Sequence, residues 1–311
     1  MFVFPIEMCV WGGGALTIRA AVRHWHLGWR NMLLLALALA FSEECLIQQT
    51  SLAPLVIHLK GQEYARAFGV NFVYLLWALV YESVFVVFAP VYLAELMFPS
   101  RRHLSWLNRG GALVTATLFL VGCFFAWFTW TRIARLHVFH VPVYTPPFAT
   151  VALSSVLIIS LVLAALGPRR RLIAHASTPL LPPANWLLIA GGGVWATLLY
   201  YLVLLGFGID PAFPPAAAVA GGAFLGLIAM LVPHWAAHSR WSDASTWAIL
   251  FGIVGATMLV SFVGFLYSLD IDFYFKLIIN AVAFLALLGI GYRVRRKAPK
   301  TGTTDGDTSL R

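Results

Sequence analysis

Residues 31–49 read NMLLLALALAFSEECLIQQ, an apolar run that carries two adjacent glutamates, Glu43 and Glu44. A helical crossing of a bilayer needs about 20 residues, so this run is close to the required length. A charged side chain within such a helix costs about 2.5–3.5 kcal/mol on insertion, and intramembrane carboxyls therefore mark candidate functional sites. The stretch predicts a membrane helix with a functional carboxyl pair.

Similar apolar runs recur along the whole chain of 311 residues, which is 61% hydrophobic and only 11% charged. Soluble domains carry about 25% charged residues. The runs are continuous and lack the alternation of a membrane β-barrel. The sequence therefore predicts an all-α fold, a polytopic transmembrane helix bundle of about nine spans, with eight to ten as the range. The spans are expected near residues 2–18, 31–49, 70–97, 111–131, 148–166, 186–208, 216–237, 245–269 and 273–292.

The distribution of basic residues predicts the orientation, because cytoplasmic loops are enriched in Lys and Arg. One side of the bundle receives sixteen of the 21 basic residues, and the other side receives four. The N-terminus is therefore expected outside and the C-terminus in the cytoplasm. The net charge of +9 follows from this topology, so we expect the lipid bilayer as partner and no nucleic acid. No removable signal peptide is expected, because no basic segment precedes the first apolar run.

The loop 167–185, with three arginines and four prolines, is predicted to be a cytoplasmic linker within one membrane domain. Residues 1–166 form a five-span half that holds nearly all the acidic residues within spans. Residues 186–292 form a four-span, glycine-rich half, in which Gly222 and Gly226 are spaced for close helix contact. Residues 293–311 are predicted to be a disordered basic cytoplasmic tail.

A polar face follows from the helical periodicity of the second span. At about 100° per residue, Glu44, Gln48 and Ser51 share one face, whereas Glu43 lies about a quarter-turn away. Such a face is expected to point inward, away from lipid. The alternative is that both carboxyls reach the outer membrane interface near the end of the span.

The third span carries Glu82 near its middle, with no basic residue within helical reach. Tyrosines and Asn71 fall on the same helical stripe as Glu82, so this stripe is also expected to face inward. The alternative is that Glu82 is protonated and makes only an interhelical hydrogen bond. The predicted proton- or cation-binding residues are Glu44, Gln48, Glu82, Asn71 and Tyr81.

Histidines and cysteines give weaker signals. His234 and His238 stand at i and i+4, a spacing that can present two ligands to a metal, but the alternative is an interfacial anchor beside Trp235. The three cysteines have no CxxC spacing and are predicted to be free thiols. Nucleotide-binding, serine-hydrolase and zincin motifs are absent from the sequence, so no cofactor is predicted.

The segment from Glu43-Glu44 through Gln48 resembles the first motif of the CAAX-protease and bacteriocin-processing family. In that family an intramembrane glutamate activates water, assisted by histidines from later helices. The resemblance implies that Glu43 or Glu44 is a catalytic residue of a membrane-embedded protease. More generally, the chain resembles multi-pass bacterial proteins, so a bacterial cytoplasmic (inner) membrane location is expected.

The chain departs from this family's pattern at three places. Gln48 stands where the family has arginine. Trp77 and Tyr81 have the spacing of the second motif, but tyrosine replaces its histidine. His234 and His238 have the spacing of the last motif, with a second histidine where asparagine is usual.

Three functions remain open from the sequence. The preferred one is a proton- or cation-coupled transporter or permease, with a carboxylate site between the second and third spans that moves a small solute. The second is a membrane-embedded enzyme that uses Glu43 or Glu44, as the resemblance implies. The third is a scaffold or assembly subunit without chemistry of its own.

Overall fold

The computed structural model describes residues 3–54, 64–167, 181–237, 239–265 and 271–297. Within these ranges the chain is almost entirely helical, and the only strands are β1 (Arg66–Ala67) and β2 (Val70–Asn71), which pair antiparallel. The long helices of the described residues are α1 (3–24), α2 (29–47), α3 (Phe72–Met97), α4 (Arg109–Val138), α5 (Phe148–Leu166), α6 (Asn185–Gly206), α7 (Pro215–Ala237), α8 (Asp243–Phe265) and α9 (Ile271–Lys297).

Seven of these helices, α3 to α9, are long and apolar enough to cross a membrane. They expose large apolar side chains such as Leu113, Phe148 and Leu153, a surface suited to lipid rather than water. The protein is therefore a multi-pass integral membrane protein with an all-α fold. Helices α1 and α2 coincide with the two other predicted spans but contain several charged residues. The count of nine spans and the orientation stay predictions.

Asparagine side chains cap the start of two of the helices. At the start of α3, the Asn71 side-chain oxygen accepts a hydrogen bond from the Tyr74 backbone N–H at 3.0 Å. At the start of α4, Asn108 accepts from the Gly111 N–H at 2.7 Å. Asparagine is a preferred N-cap residue because its side chain satisfies a backbone donor that the first helical turn leaves free.

Helix α3 lies at the centre of the bundle. Half of the residues in its 18-residue apolar stretch are buried, whereas the corresponding share in the other six membrane-competent helices is 11–39%. Val87 and Val91 of α3 pack with α1 and α2, whereas Val73 and Val80 pack with α6 and α7. The two predicted halves of the chain therefore meet at α3.

Glycines allow helix backbones to touch in the second half of the chain. A Cβ on Gly252 of α8 would lie 2.1 Å from the carbonyl oxygen of Ile189 in α6, so these two backbones are in direct contact. The predicted Gly222–Gly226 pair also packs closely: a Cβ on Gly222 would lie 3.0 Å from Leu76 of α3. Small residues permit such approach between membrane helices.

Two predictions of local structure differ from the structure or lie outside it. Helix α9 continues to Lys297, so residues 293–297 are helical rather than part of a disordered tail. An apolar helix continues easily into a basic segment, because Arg and Lys are good helix formers. Residues 298–311 and 168–180, which cover the rest of the predicted tail and most of the predicted linker, lie outside the described residues. Cys9, Cys45 and Cys123 are free thiols, as predicted.

Three helices contain short π-helical segments beside acidic residues. The segments are Met8–Gly12, directly after Glu7 in α1, Glu43–Ile47 at the end of α2, and Glu82–Phe88 in the middle of α3. π-Helical turns are rare and occur frequently at functional sites. These three helices form the site described next.

Candidate carboxylate site

The end of α2 places Glu43 and Glu44 in the protein interior. Helix α2 finishes in the π-helical turn Glu43–Ile47, and the chain then reverses through Gln49, whose φ is +60°. Both glutamates are only 2% exposed. Protein side chains, rather than lipid headgroups or water, therefore surround the pair.

Two hydroxyls hold the Glu44 carboxyl. Thr50 Oγ1 donates a hydrogen bond to Glu44 Oε2 at 2.7 Å, and Ser51 Oγ donates to the same oxygen. Ser51 reaches Glu44 because the chain folds back, not because the helix continues. The predicted helical face of Glu44, Gln48 and Ser51 is therefore wrong in its geometry, since α2 ends at Ile47.

Glu82 brings a third carboxyl to the pair. It is 6% exposed and begins the π-helical segment of α3. One carboxylate oxygen from each of Glu43, Glu44 and Glu82 lies within 4.8 Å of the other two. Glu43 thus belongs to the cluster, although its helical position predicted a different direction.

The cluster has unsatisfied oxygens and no basic partner. Glu43 Oε1 and Glu82 Oε2 are buried without a hydrogen-bond partner. Among the described residues, no Lys, Arg or His forms an ion pair with any of the three carboxyls. Anionic carboxylates at this separation repel one another strongly when they are removed from water. The arrangement therefore requires a proton, or a cation, to be shared among the three groups.

The donor set suits hard cations. All the nearby ligand atoms are oxygens, from three carboxyls and from the hydroxyls of Thr50 and Ser51. Such oxygens bind protons and cations such as Na⁺, Mg²⁺ and Ca²⁺ more readily than they bind soft metals. Glu43, Glu44 and Glu82 are the residues that could hold such an ion.

A fourth carboxyl borders the cluster from α1. Gln48 Nε2 donates a hydrogen bond to Glu7 Oε1 at 2.9 Å, and Glu7 Oε2 is buried without a partner. Gln48, predicted as a site residue, therefore links α2 to α1 rather than binding Glu44. Helix α1 therefore contributes Glu7 to the site. The sequence indicated this residue only because Glu7 lies in an apolar run.

A cavity of about 730 Å³ joins these groups. Helices α1, α2 and α3 and the turn after α2 provide most of its wall. Its polar lining includes Glu7, Glu43, Glu44, Gln48, Thr50, Glu82 and Arg19. Its aromatic lining consists of Trp11, Tyr74, Trp77, Tyr81, Phe85 and Trp106. Volumes of this order accommodate small-molecule ligands.

Tyr81 and Asn71, both predicted as site residues, occupy different places. Tyr81 lines the cavity and stacks on Trp77 with 5.0 Å between ring centroids. Asn71 is not among the lining residues; it caps α3 and donates a hydrogen bond from Nδ2 to the Gly206 carbonyl at 3.1 Å. Helical periodicity placed Asn71 and Tyr81 on one stripe. It could not show that Asn71 caps the helix whereas Tyr81, ten positions later, lines the cavity.

The predicted histidine pair is only partly described. His234 packs edge-on against Trp29 at the start of α2, with 5.9 Å between ring centroids. His238, the other member of the predicted pair, lies outside the described residues. Within the described part of the chain, the only group of three potential metal ligands is Glu43, Glu44 and Glu82. No described histidine joins it.

Arginines close one end of the cavity. Arg19 is 1% exposed, pairs with Glu95 at 3.2 Å, and lies over the Trp106 ring at 3.5 Å from its centroid. Arg23 also binds Glu95, with its shortest contact at 2.6 Å. Arg101 and Arg102 are nearer to Glu95 in sequence, but the packing of α1 on α3 makes Arg19 and Arg23 its partners.

A second ion pair lies at the same end. Arg102 Nη2 binds Asp243 Oδ2 at 2.6 Å and so connects the loop before α4 to the start of α8. The hydrogen bonds from Arg102 to Asp243 raise the pKa of the guanidinium above its usual range. Arg19 donates hydrogen bonds to carbonyl oxygens of the same loop, including that of Leu104 at 3.2 Å.

Several site residues were not predicted from the sequence. Thr50 directly follows Gln48 and Gln49. Its position next to Ser51 was the only feature of the sequence that pointed to a second hydroxyl at the site. Trp11 gave no signal, because tryptophans also occur as lipid anchors. Arg19 lies one residue beyond the predicted first span, where basic residues are usual. Tertiary packing, rather than local sequence, brings these groups to the cavity.

The chain matches no family model, no curated protein sequence and no solved structure.

Proposed function

We propose that the protein is a proton- or cation-coupled transporter in which Glu43, Glu44 and Glu82 bind the coupling ion. The observation that carries the proposal is the buried, unpaired carboxyl cluster, with carboxylate oxygens within 4.8 Å of each other and no described basic partner. Intramembrane acids that face a cavity commonly mark ion and proton pathways.

The cluster supports ion binding more directly than hydrolysis. A glutamate-dependent enzyme of the kind suggested by the sequence resemblance needs histidine partners, and no described histidine joins the three glutamates. An ion site needs only oxygens, an enclosed volume and a route for exchange. The cavity beside the cluster supplies the volume, so the transport hypothesis accounts for more of the site.

Interrupted helix geometry at the site also supports transport. The π-helical segments Glu43–Ile47 and Glu82–Phe88 place the carboxyls at points where the regular helical hydrogen-bond pattern is interrupted. Such points adjust at lower free-energy cost than a regular helix. A change in ion occupancy can therefore be coupled to a change in helix packing.

The proposal is tested in proteoliposomes that contain the pH-sensitive dye pyranine. Acid-loaded vesicles receive external NaCl, KCl, MgCl₂ or CaCl₂ in turn, and the luminal pH is followed. We expect at least one cation to drive proton efflux through the wild-type protein. Glu44→Gln and Glu82→Gln should lower this rate at least about tenfold, because each removes a charge-assisted contact of about 1.5–3 kcal/mol.

The control is Asp210→Asn, which removes a carboxyl in the loop after α6, outside the cavity lining. This variant should exchange protons at the wild-type rate. If Glu44→Gln and Glu82→Gln also retain the wild-type rate, the cluster does not bind the coupling ion and the proposal is wrong.

A further inference from the structure

Most of the cavity is larger and less polar than an inorganic ion requires. The three carboxyls, with oxygens within 4.8 Å of one another, suffice for a small ion, whereas the cavity extends to about 730 Å³. One wall is an aromatic series along α3: Trp77 stacks on Tyr81, and Tyr81 stacks on Phe85, each with 5.0 Å between centroids. Trp11 of α1 also contributes to the lining. These rings offer rigid apolar contact area to a ligand.

The charge of the cavity favours a cation. Glu7, Glu43, Glu44 and Glu82 all line it, and Arg19 is its only basic lining residue among those described. Arg19 shares the single charge of Glu95 with Arg23, at 3.2 Å from Arg19, and is covered by Trp106. An anion entering the cavity would meet uncompensated carboxyls, whereas a cation would satisfy the free oxygens of Glu43 and Glu82.

The rim of the cavity lies partway along α1 and along the membrane-competent helix α3. Gly12 of α1 and Pro90 of α3 line the cavity and are both exposed on the outer surface. Neither lies at a helix end, so the opening is on the side of the bundle rather than at its top or bottom. A ligand that dissolves in the membrane can enter by this route.

We propose that the cavity binds a lipophilic organic monocation, such as a quaternary ammonium or phosphonium compound, as the transported solute. The proposal rests on the proposed function, because the solute and the coupling proton use the same carboxyls. The charged centre lies at Glu82, and the apolar substituents lie against Trp77, Tyr81 and Phe85. Binding of one organic cation releases one proton, so net charge in the site is conserved and transport is an exchange.

Proton exchange predicts how affinity depends on pH. If one proton leaves for each organic cation bound, affinity weakens about tenfold for each unit that pH falls within the titration range of the cluster. The other titratable groups on the elements packed around the cluster remain unchanged in the variants below. These groups are Glu7 and the Arg19–Glu95 pair, Cys45 on α2, Tyr74 and Tyr81 on α3, and Cys123 on α4.

The test compares tetraphenylphosphonium with tetraphenylborate, which has nearly the same shape and the opposite charge. Binding to the purified full-length protein in nanodiscs is measured by calorimetry, with protein-free nanodiscs as background. We expect saturable binding of the cation and at least about tenfold weaker binding of the anion, a difference of about 1.4 kcal/mol. Equal saturable binding of both ions, or no saturable binding of the cation, would overturn the proposal.

A steric variant tests the position of the entrance. Gly12→Phe places a large side chain at the rim, and no atom lies within 4 Å of the position that its Cβ would take, so folding should be retained. The matched control is Gly191→Phe on α6, which has the same open surroundings and lies outside the cavity lining. Gly12→Phe should lower the uptake rate of tetraphenylphosphonium in proteoliposomes, whereas Gly191→Phe should not. Equal rates in both variants would contradict the lateral entrance.

The two proposals fail in different ways. If the wild-type protein exchanges protons for inorganic cations but does not distinguish the two tetraphenyl ions, only the choice of solute is wrong. If Glu82→Gln leaves both proton exchange and tetraphenylphosphonium binding unchanged, the ion site itself is wrong.

Discussion

Glu95 and Asp243 both bind arginines, but only Glu95 is buried. Its side chain is 7% exposed and pairs with both Arg19 and Arg23, whereas the Asp243 side chain is 44% exposed and pairs with Arg102. An exposed ion pair contributes about 0–1 kcal/mol to stability. Removing one partner of a buried pair costs about 3–5 kcal/mol, because the remaining charge is left without compensation.

The variants Glu95→Gln and Asp243→Asn should therefore differ in stability. We expect Glu95→Gln to lower the free energy of unfolding by about 3–5 kcal/mol and Asp243→Asn by less than about 1 kcal/mol. Thermal unfolding in detergent, followed by the fluorescence of a thiol-reactive dye that labels Cys45 when this buried thiol becomes exposed, measures both. Equal losses of stability would show that the burial of Glu95 has no energetic consequence.

Single residues differ in how well the sequence predicted them. The depth of Glu82 follows directly from its place in an apolar run, and the structure buries it. The partners of Glu95 could not be predicted, because they depend on how α1 packs against α3. Glu43 was assigned the wrong direction, since its helix changes to π geometry at that residue.

Helix α2 shows why periodicity alone fails at the end of an element. An α-helix that continued past Gln48 would place Ser51 on the face of Glu44 by spacing. The helix instead ends at Ile47, and the positive φ of Gln49 returns the chain so that Thr50 and Ser51 reach Glu44. The contact with Ser51 was anticipated, but its cause is a turn and not a helical stripe.

Helices α6 and α8 offer a matched test of close packing. A Cβ on Gly252 would lie 2.1 Å from the Ile189 carbonyl oxygen, whereas a Cβ on Gly255 of the same helix has no atom within 4 Å. Gly252→Ala should destabilise the protein by about 1–3 kcal/mol through overpacking, and Gly255→Ala should change its stability by less than about 0.5 kcal/mol. Thermal unfolding in detergent measures the difference. A Gly252→Ala protein as stable as Gly255→Ala would contradict the contact between these backbones.

At the scale of the whole molecule, composition was sufficient to predict the fold class. Continuous apolar runs identify membrane helices, because a lipid-exposed backbone must satisfy its own hydrogen bonds. The central place of α3 was not predictable, since each apolar run looks equally suited to face lipid. Only the structure shows that α3 contacts both halves of the chain and carries Glu82 to the cavity.

The most direct test is infrared spectroscopy of the carboxyl groups in the purified protein. After dialysis against a chelator in low-salt buffer, a proton shared by Glu43, Glu44 and Glu82 should give the C=O stretching band of a neutral carboxylic acid at pH 7. We expect this band to decrease when tetraphenylphosphonium or an active inorganic cation is added, and to be absent from the triple variant with all three glutamates changed to glutamine. If added cations do not change the band of the wild-type protein and the triple variant shows the same band, the cluster does not contain a shared ion site.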